Sequence, residues 1–109
     1  MRSLKSVIYA IMFLHILGCS KEQTTQVINT PTIQCGMCQK NIENGLKSIP
    51  GISKVSVDLD SKTTSVTYDS QKANVKTIEN SISKSGYQAN NLKADPVTYE
   101  SLPDCCKIG

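Results

Sequence analysis

Thr32-Ile33-Gln34-Cys35-Gly36-Met37-Cys38-Gln39-Lys40-Asn41-Ile42 is the stretch from which the rest of this chain can be read. On its N-terminal side, Val27 to Ile33 carries Thr, Val and Ile at sheet-favouring positions, with Pro31 near the end, and reads as a strand. From Cys35 onward the apolar period changes. Cys38, Ile42, Leu46 and Ile49 recur at the spacing of one face of an amphipathic helix, and Pro50-Gly51 stops it. Cys35 and Cys38 therefore sit at a strand-to-helix junction. Two intervening residues at a helix start let both sulfurs converge on one small ion, and the helix N-terminal amides and dipole favour thiolate. Thiolates are soft ligands, which select Cu(I), Hg(II), Cd(II) or Zn(II) over magnesium or calcium. A lone CxxC also marks redox motifs and half-sites of structural zinc, so its place in the fold has to decide.

Further along, Val55, Val57 and Leu59 alternate with polar residues as a half-buried strand, and Asp60-Ser61-Lys62 supplies a turn. Thr64, Val66 and Tyr68 alternate in a partner strand, giving a hairpin. Asn74 is placed to cap a second helix with Val75, Ile78 and Ile82 facing inward, and Gly86 to end it. Tyr87 to Leu92 reads as a short final strand. The order is β-α-β-β-α-β over about 65 residues, the ferredoxin-like α+β arrangement. The expectation is a four-stranded antiparallel sheet with two helices on one face, followed by a C-terminal tail.

Val27 to Leu92 resembles the heavy-metal-associated domain of copper chaperones, metal-ATPase N-terminal modules and periplasmic mercuric-ion-binding proteins. The resemblance rests on Cys35-x-x-Cys38, the helix through Ile42, Leu46 and Ile49, Pro50-Gly51 followed by Val55-x-Val57, and Gly86-Tyr87. It implies that Cys35 and Cys38 bind the metal and that Tyr87 lies in the loop shielding the site. The family often has Gly-Met three and two residues before its first metal cysteine; Thr32 and Ile33 stand there, with Ile33 keeping the apolar plug. Met37 lies between the cysteines instead, as local packing or a weak thioether contact. Blander readings stand beside these: Cys35 and Cys38 as an ordinary disulfide, Tyr87 as a core aromatic, and the lysines as solvated faces.

The N-terminus reads as an address. Arg2 and Lys5 precede an apolar run from Val7 to Leu17, which fits a signal-peptide core and is too short to span a bilayer comfortably. Ile16-Leu17-Gly18-Cys19 resembles the lipobox of bacterial lipoproteins, in which the cysteine is lipidated and becomes the first residue. Residues 1–18 are thus a leader, Cys19 the lipidation site, 19–26 a tether, 27–92 the domain and 93–109 the tail. Losing the leader lowers the net charge of +3 by the two charges of Arg2 and Lys5, and removes His15, the single histidine. An imidazole ligand or base is then excluded, and the slight charge argues against nucleic acid. Ordinary cleavage that leaves Cys19 a free thiol, or an uncleaved anchor helix, are the alternatives.

Four of the five cysteines then fall into two doublets. Asp95-Pro96 opens a short helix through Leu102, Pro103 ends it, and Cys105-Cys106 follow. Adjacent cysteines pair with each other only under strain, and the tail is long enough to return to Cys35 and Cys38. Cys105 and Cys106 are therefore candidates for the same site, giving three or four thiolates or a shuttle between two pairs; incidental thiols on an exposed tail are the alternative.

At 109 residues the chain has room for one small domain and little for an enclosed enzyme pocket. The resulting expectation is a non-enzymatic, monomeric protein that binds or relays a soft metal ion. Its partners are a membrane, through a lipid anchor at an extracytoplasmic face of the bacterial envelope, and a metal-transporting membrane protein. Two thiolates suit Cu(I) or Hg(II), and four suit Zn(II) or Cd(II). The rival readings are a thiol-disulfide oxidoreductase with Cys35 as nucleophile and Cys38 as resolving thiol, and a structural domain stapled by disulfides.

Overall fold

In the computed structural model the strictest alternation in the sequence becomes the centre of the sheet. Residues 23–107 are described; the leader and Cys19 lie outside them. Strand β3 (Thr63–Asp69) buries Thr64, Val66 and Tyr68 and leaves the residues between them half-exposed. It pairs antiparallel with β1 (Gln23–Asn29) on one side and with β2 (Ile52–Asp58) on the other. Helix α1 (Gly36–Lys47) buries Cys38, Ile42 and Leu46, and α2 (Val75–Lys84) buries Ile78 and Ile82. These side chains meet Ile28, Val57, Val66 and Tyr68 of the sheet in one apolar core. Asn74 caps α2 as expected, its Oδ1 accepting from the Thr77 N–H at 2.8 Å. Among the described residues no helix is long and apolar enough to cross a membrane.

Two strand readings change. The first strand is Gln23–Asn29 rather than Val27 to Ile33, so residues 23–26, read as tether, pair with β3. Pro31 is the physical reason for the shift. It has no N–H to continue a ladder, and the chain from Thr30 to Gln34 becomes the loop that leads into the CxxC motif.

Among the described residues the expected fourth strand is absent: the sheet has three strands there, in the order β1-β3-β2. Tyr87 to Leu92 instead folds on itself. Ala89 and Leu92 exchange backbone hydrogen bonds at 2.9 Å in both directions around Asn90, whose φ is 52°. Asparagine tolerates this left-handed conformation, and Asn90-Asn91 makes a tight turn where a strand would have to stay extended. Asn90 holds the segment to the end of β1, its Oδ1 accepting from the Asn29 N–H and its own N–H donating to the Asn29 carbonyl.

Gly86 ends α2 with φ +101°, and the N–H groups of Gly86 and Tyr87 donate back to the carbonyls of Ser83 and Ile82. A Cβ at Gly86 would also lie 2.9 Å from Leu102 Cδ1. The small residue thus serves both the turn and the seat of the tail. The short helix α3 (Pro96–Ser101) forms as expected, capped by Asp95, and Pro103 separates it from a 3₁₀ turn over Asp104–Cys106. Leu102 packs against the core, while the Asp95 N–H donates to the Ser83 carbonyl and Ser83 Oγ to the Lys93 carbonyl. The tail is therefore a docked element.

Candidate metal centre

Because α1 begins at Gly36, Cys35 is its N-cap, in an extended conformation, and Cys38 stands one turn into the helix facing inward. The Gln34 N–H points at Cys38 Sγ from 3.5 Å. Cys35 is half-buried and Cys38 fully buried, with the two sulfurs 3.8 Å apart. The docked tail places its own pair against them. Cys105 Sγ lies 2.9 Å from Cys35 Sγ, and Cys106 Sγ lies 2.7 Å from Cys38 Sγ. Cys35 to Cys106 is 3.8 Å and Cys105 to Cys106 is 4.0 Å. Cys106 is buried and Cys105 exposed. The four cysteines that sequence separated into two doublets form one cluster, with a buried half and a half open to solvent.

The electrostatics set Cys35 apart from the two tail cysteines. The hydrogen bond shared with Cys105, followed by the backbone N–H of Cys38, pulls the Cys35 thiol down to about 6. Burial first, then the Cys38 contact, pushes Cys106 up to about 12. The hydrogen bond with Cys35 raises Cys105. A lowered value means that thiolate is present above it, so in the metal-free reduced chain Cys35 should be the first sulfur alkylated at neutral pH. Its iodoacetamide rate is expected to rise through about pH 6, while an ordinary thiol rises near about 8.5. Peptide mapping of labelled protein across pH checks this, and a Cys35 midpoint near the ordinary value would overturn it.

Tyr87 lies at the floor of the cluster with no exposed surface. Its Oη accepts from Asn41 Nδ2 at 3.0 Å, and burial first, then the neighbouring Cys106, raises the phenol above its ordinary value. An amide nitrogen can only donate, so the phenol proton is left free to serve sulfur. Tyr87 is thus a core aromatic that borders the sulfur cluster. Ile33 is fully buried, as the plug reading requires. Met37 is not packed; it lies in the first turn of α1 and is 51% exposed.

Two residues escaped the sequence reading. Asn41 sits three positions after Cys38 on the same helix face, a spacing that could have suggested it. Lys62, read as a solvated lysine, donates from Nζ to the Ile33 carbonyl at 2.7 Å and ties down the loop before the cysteines. Its backbone is left-handed, with φ 55°, within the turn read at Asp60-Ser61-Lys62.

A cysteine pair at a strand-to-helix junction, on a sheet covered by two helices, agrees with the comparison to known proteins. The signature of the heavy-metal-associated domain matches residues 27–88. The chain belongs to the heavy-metal-associated domain family. It is similar to the mercuric transport protein periplasmic component of Shewanella putrefaciens, at 30% identity over 80 residues, 73% of this chain and 85% of that protein. It is similar to the copper chaperone CopZ of Staphylococcus aureus strain JH9, at 31% identity over 62 residues, 57% of this chain and 91% of the chaperone. The solved water-soluble region of the P-type ATPase CopA from Bacillus subtilis superposes with a TM-score of 0.61 at 31% identity, covering 64% of this chain and 46% of that one. The heavy-metal-associated match contains Cys35 and Cys38 and stops before the tail. Cys105 and Cys106 are therefore additions outside the matched domain, brought to its metal loop by α3 and the turn after it.

Proposed function

We propose that this protein binds a soft heavy-metal ion through Cys35 and Cys38, with Cys105 and Cys106 completing the ligand set, and passes it on by thiolate exchange. The observation that carries the reading is the convergence of the two doublets. Tetrahedral thiolate sites with metal–sulfur bonds near 2.3 Å have sulfur–sulfur edges of about 3.8 Å. The contacts of Cys35 with Cys38 and with Cys106, at 3.8 Å, and of Cys105 with Cys106, at 4.0 Å, match that edge. The two shorter contacts would have to open when an ion enters, and Cys38 and Cys105 would have to approach, because among the described residues the set with all sulfurs within 4.8 Å of one another is Cys35, Cys105 and Cys106. Mercuric and copper relatives support Hg(II) and Cu(I) as cargo, and a four-sulfur set extends the range to Zn(II) and Cd(II).

The cluster's asymmetry suits transfer. Cys105 is exposed, so an incoming thiolate can displace it first while buried Cys38 and Cys106 keep hold of the ion. A metal-transporting membrane protein is the receiving partner this reading favours, in line with the similarity to the P-type ATPase region. Cys19 as a lipid anchor would hold the domain at the extracytoplasmic face of the envelope, where such a partner is within reach. No residue of the cluster is assigned a catalytic role.

Anaerobic titration of the reduced full chain with Cu(I) and with Zn(II), beside a Cys105→Ser/Cys106→Ser variant, tests the ligand set. X-ray absorption should count more than two sulfurs around the ion in the parent and two in the variant, with affinity down by about tenfold or more. An unchanged sulfur count and affinity would remove the tail from the site. A reduced parent that binds neither ion would overturn the metal reading altogether.

A further inference from the structure

Metal handling accounts for four sulfurs gathered in one place, but not for their unequal spacing. The Cys35–Cys105 and Cys38–Cys106 contacts, at 2.9 and 2.7 Å, are shorter than the edge of a tetrahedral thiolate site, while the motif's own pair keeps 3.8 Å. A disulfide needs about 2.05 Å between sulfurs. Cys35 and Cys105 would have to close by about 0.9 Å to bond, whereas Cys35 and Cys38 would have to close by about twice that. Access separates the two short pairs. Cys38 and Cys106 have no exposed surface, but Cys105 is exposed and Cys35 half-buried. Only the outer pair can meet an external oxidant.

We propose that Cys35 and Cys105 form a redox-active dithiol whose oxidant is a low-molecular-weight disulfide, and that their bridge fastens the tail across the CxxC motif. The Cys35 thiolate attacks one sulfur of R–S–S–R, forming Cys35–S–S–R and releasing R–S⁻. Cys105 then gives up its proton and attacks Cys35 Sγ, displacing the second R–S⁻. The cysteine pair loses two electrons and two protons, and the disulfide is reduced to two R–SH. Cys38 and Cys106 remain thiols beneath the bridge. The docking of Leu102 over Gly86 and the bond from the Asp95 N–H to Ser83 hold Cys105 in place for the second step, although it lies 70 residues from Cys35. Resting on the metal reading above, the bridge would also regulate the site, because it withdraws Cys35 and Cys105 from the ligand set. The bridged chain should bind Cu(I) at least about tenfold more weakly than the reduced one.

The test uses the full chain, reduced and metal-free, exposed to glutathione disulfide without oxygen. Free thiols are blocked with N-ethylmaleimide, disulfides are then reduced and labelled with iodoacetamide, and each cysteine is located by fragment sequencing. The expected pattern is iodoacetamide on Cys35 and Cys105 and maleimide on Cys38 and Cys106. A Cys38→Ser/Cys106→Ser variant should still bridge. A bridge from Cys35 to any other sulfur, a bridge that forms first between Cys38 and Cys106, or no bridge at all overturns the proposal. Reduced protein that binds metal but bridges Cys35 to Cys38 removes the redox pair and keeps the metal reading. Reduced protein that binds no metal but bridges Cys35 to Cys105 does the reverse.

Discussion

Replacing both Cys35 and Cys38 by Ser is expected to abolish soft-metal binding, with a loss of affinity well beyond the about 100-fold that follows from disturbing groups around a metal site. A serine hydroxyl stays protonated at neutral pH and is a hard donor, so it does not replace a thiolate toward Cu(I) or Hg(II). The surviving pair should not compensate. Cys105 and Cys106 are neighbours on one 3₁₀ turn, one exposed and one buried, with sulfurs 4.0 Å apart. They reach an ion held by α1 and have no second element of their own to enclose it. Competition against a chromophoric Cu(I) chelator measures the change, with far-UV circular dichroism confirming the fold. Affinity retained within about tenfold would show that the tail alone makes the site.

The second large effect concerns stability. Tyr87 is the largest side chain with no exposed surface in the domain, set between Cys38, Cys106 and Asn41. Tyr87→Ala removes the ring from a packed core and should cost about 3–5 kcal/mol, the range for emptying a buried aromatic position. Tyr87→Phe keeps the ring and loses the hydroxyl, leaving the Asn41 amide without its acceptor, and should cost about 1 kcal/mol. Urea unfolding of the reduced, metal-free proteins followed by circular dichroism separates the two. An alanine variant within about 1 kcal/mol of the parent would mean the ring is not part of the core.

These two predictions differ in how far they could be read before the structure. Cys35, Cys38 and the helix that carries them are local: a change of apolar period from strand to helix, with cysteines at the change, is written in neighbouring residues. So are the cap at Asn74, the helix end at Gly86 and the short helix after Asp95-Pro96, because each depends on backbone groups only a few residues away. The mistaken fourth strand has the opposite cause. Tyr87 to Leu92 contains sheet-compatible residues, but a strand needs a partner edge. Past Asn29 the edge of β1 is interrupted by Pro31, and Asn90 turns left-handed beside it. Asn90-Asn91 is the local turn that breaks the extended run.

The sequence by itself determined the heavy-metal-associated family and the place of its cysteine pair at a helix start, because residue type and short spacing are written in neighbouring residues. Only the tertiary structure decided that the sulfurs of the tail come to lie beside those of the domain. Cys35 and Cys105 are 70 residues apart, and no local period couples them. What brings them together is a chain of long-range contacts: the turn at Asn90, the bonds to Ser83, and Leu102 seated over Gly86. The same packing sorts the sulfurs into a buried pair and an exposed pair. That division, which spacing along the chain does not carry, sets which sulfur an incoming thiolate or disulfide meets first.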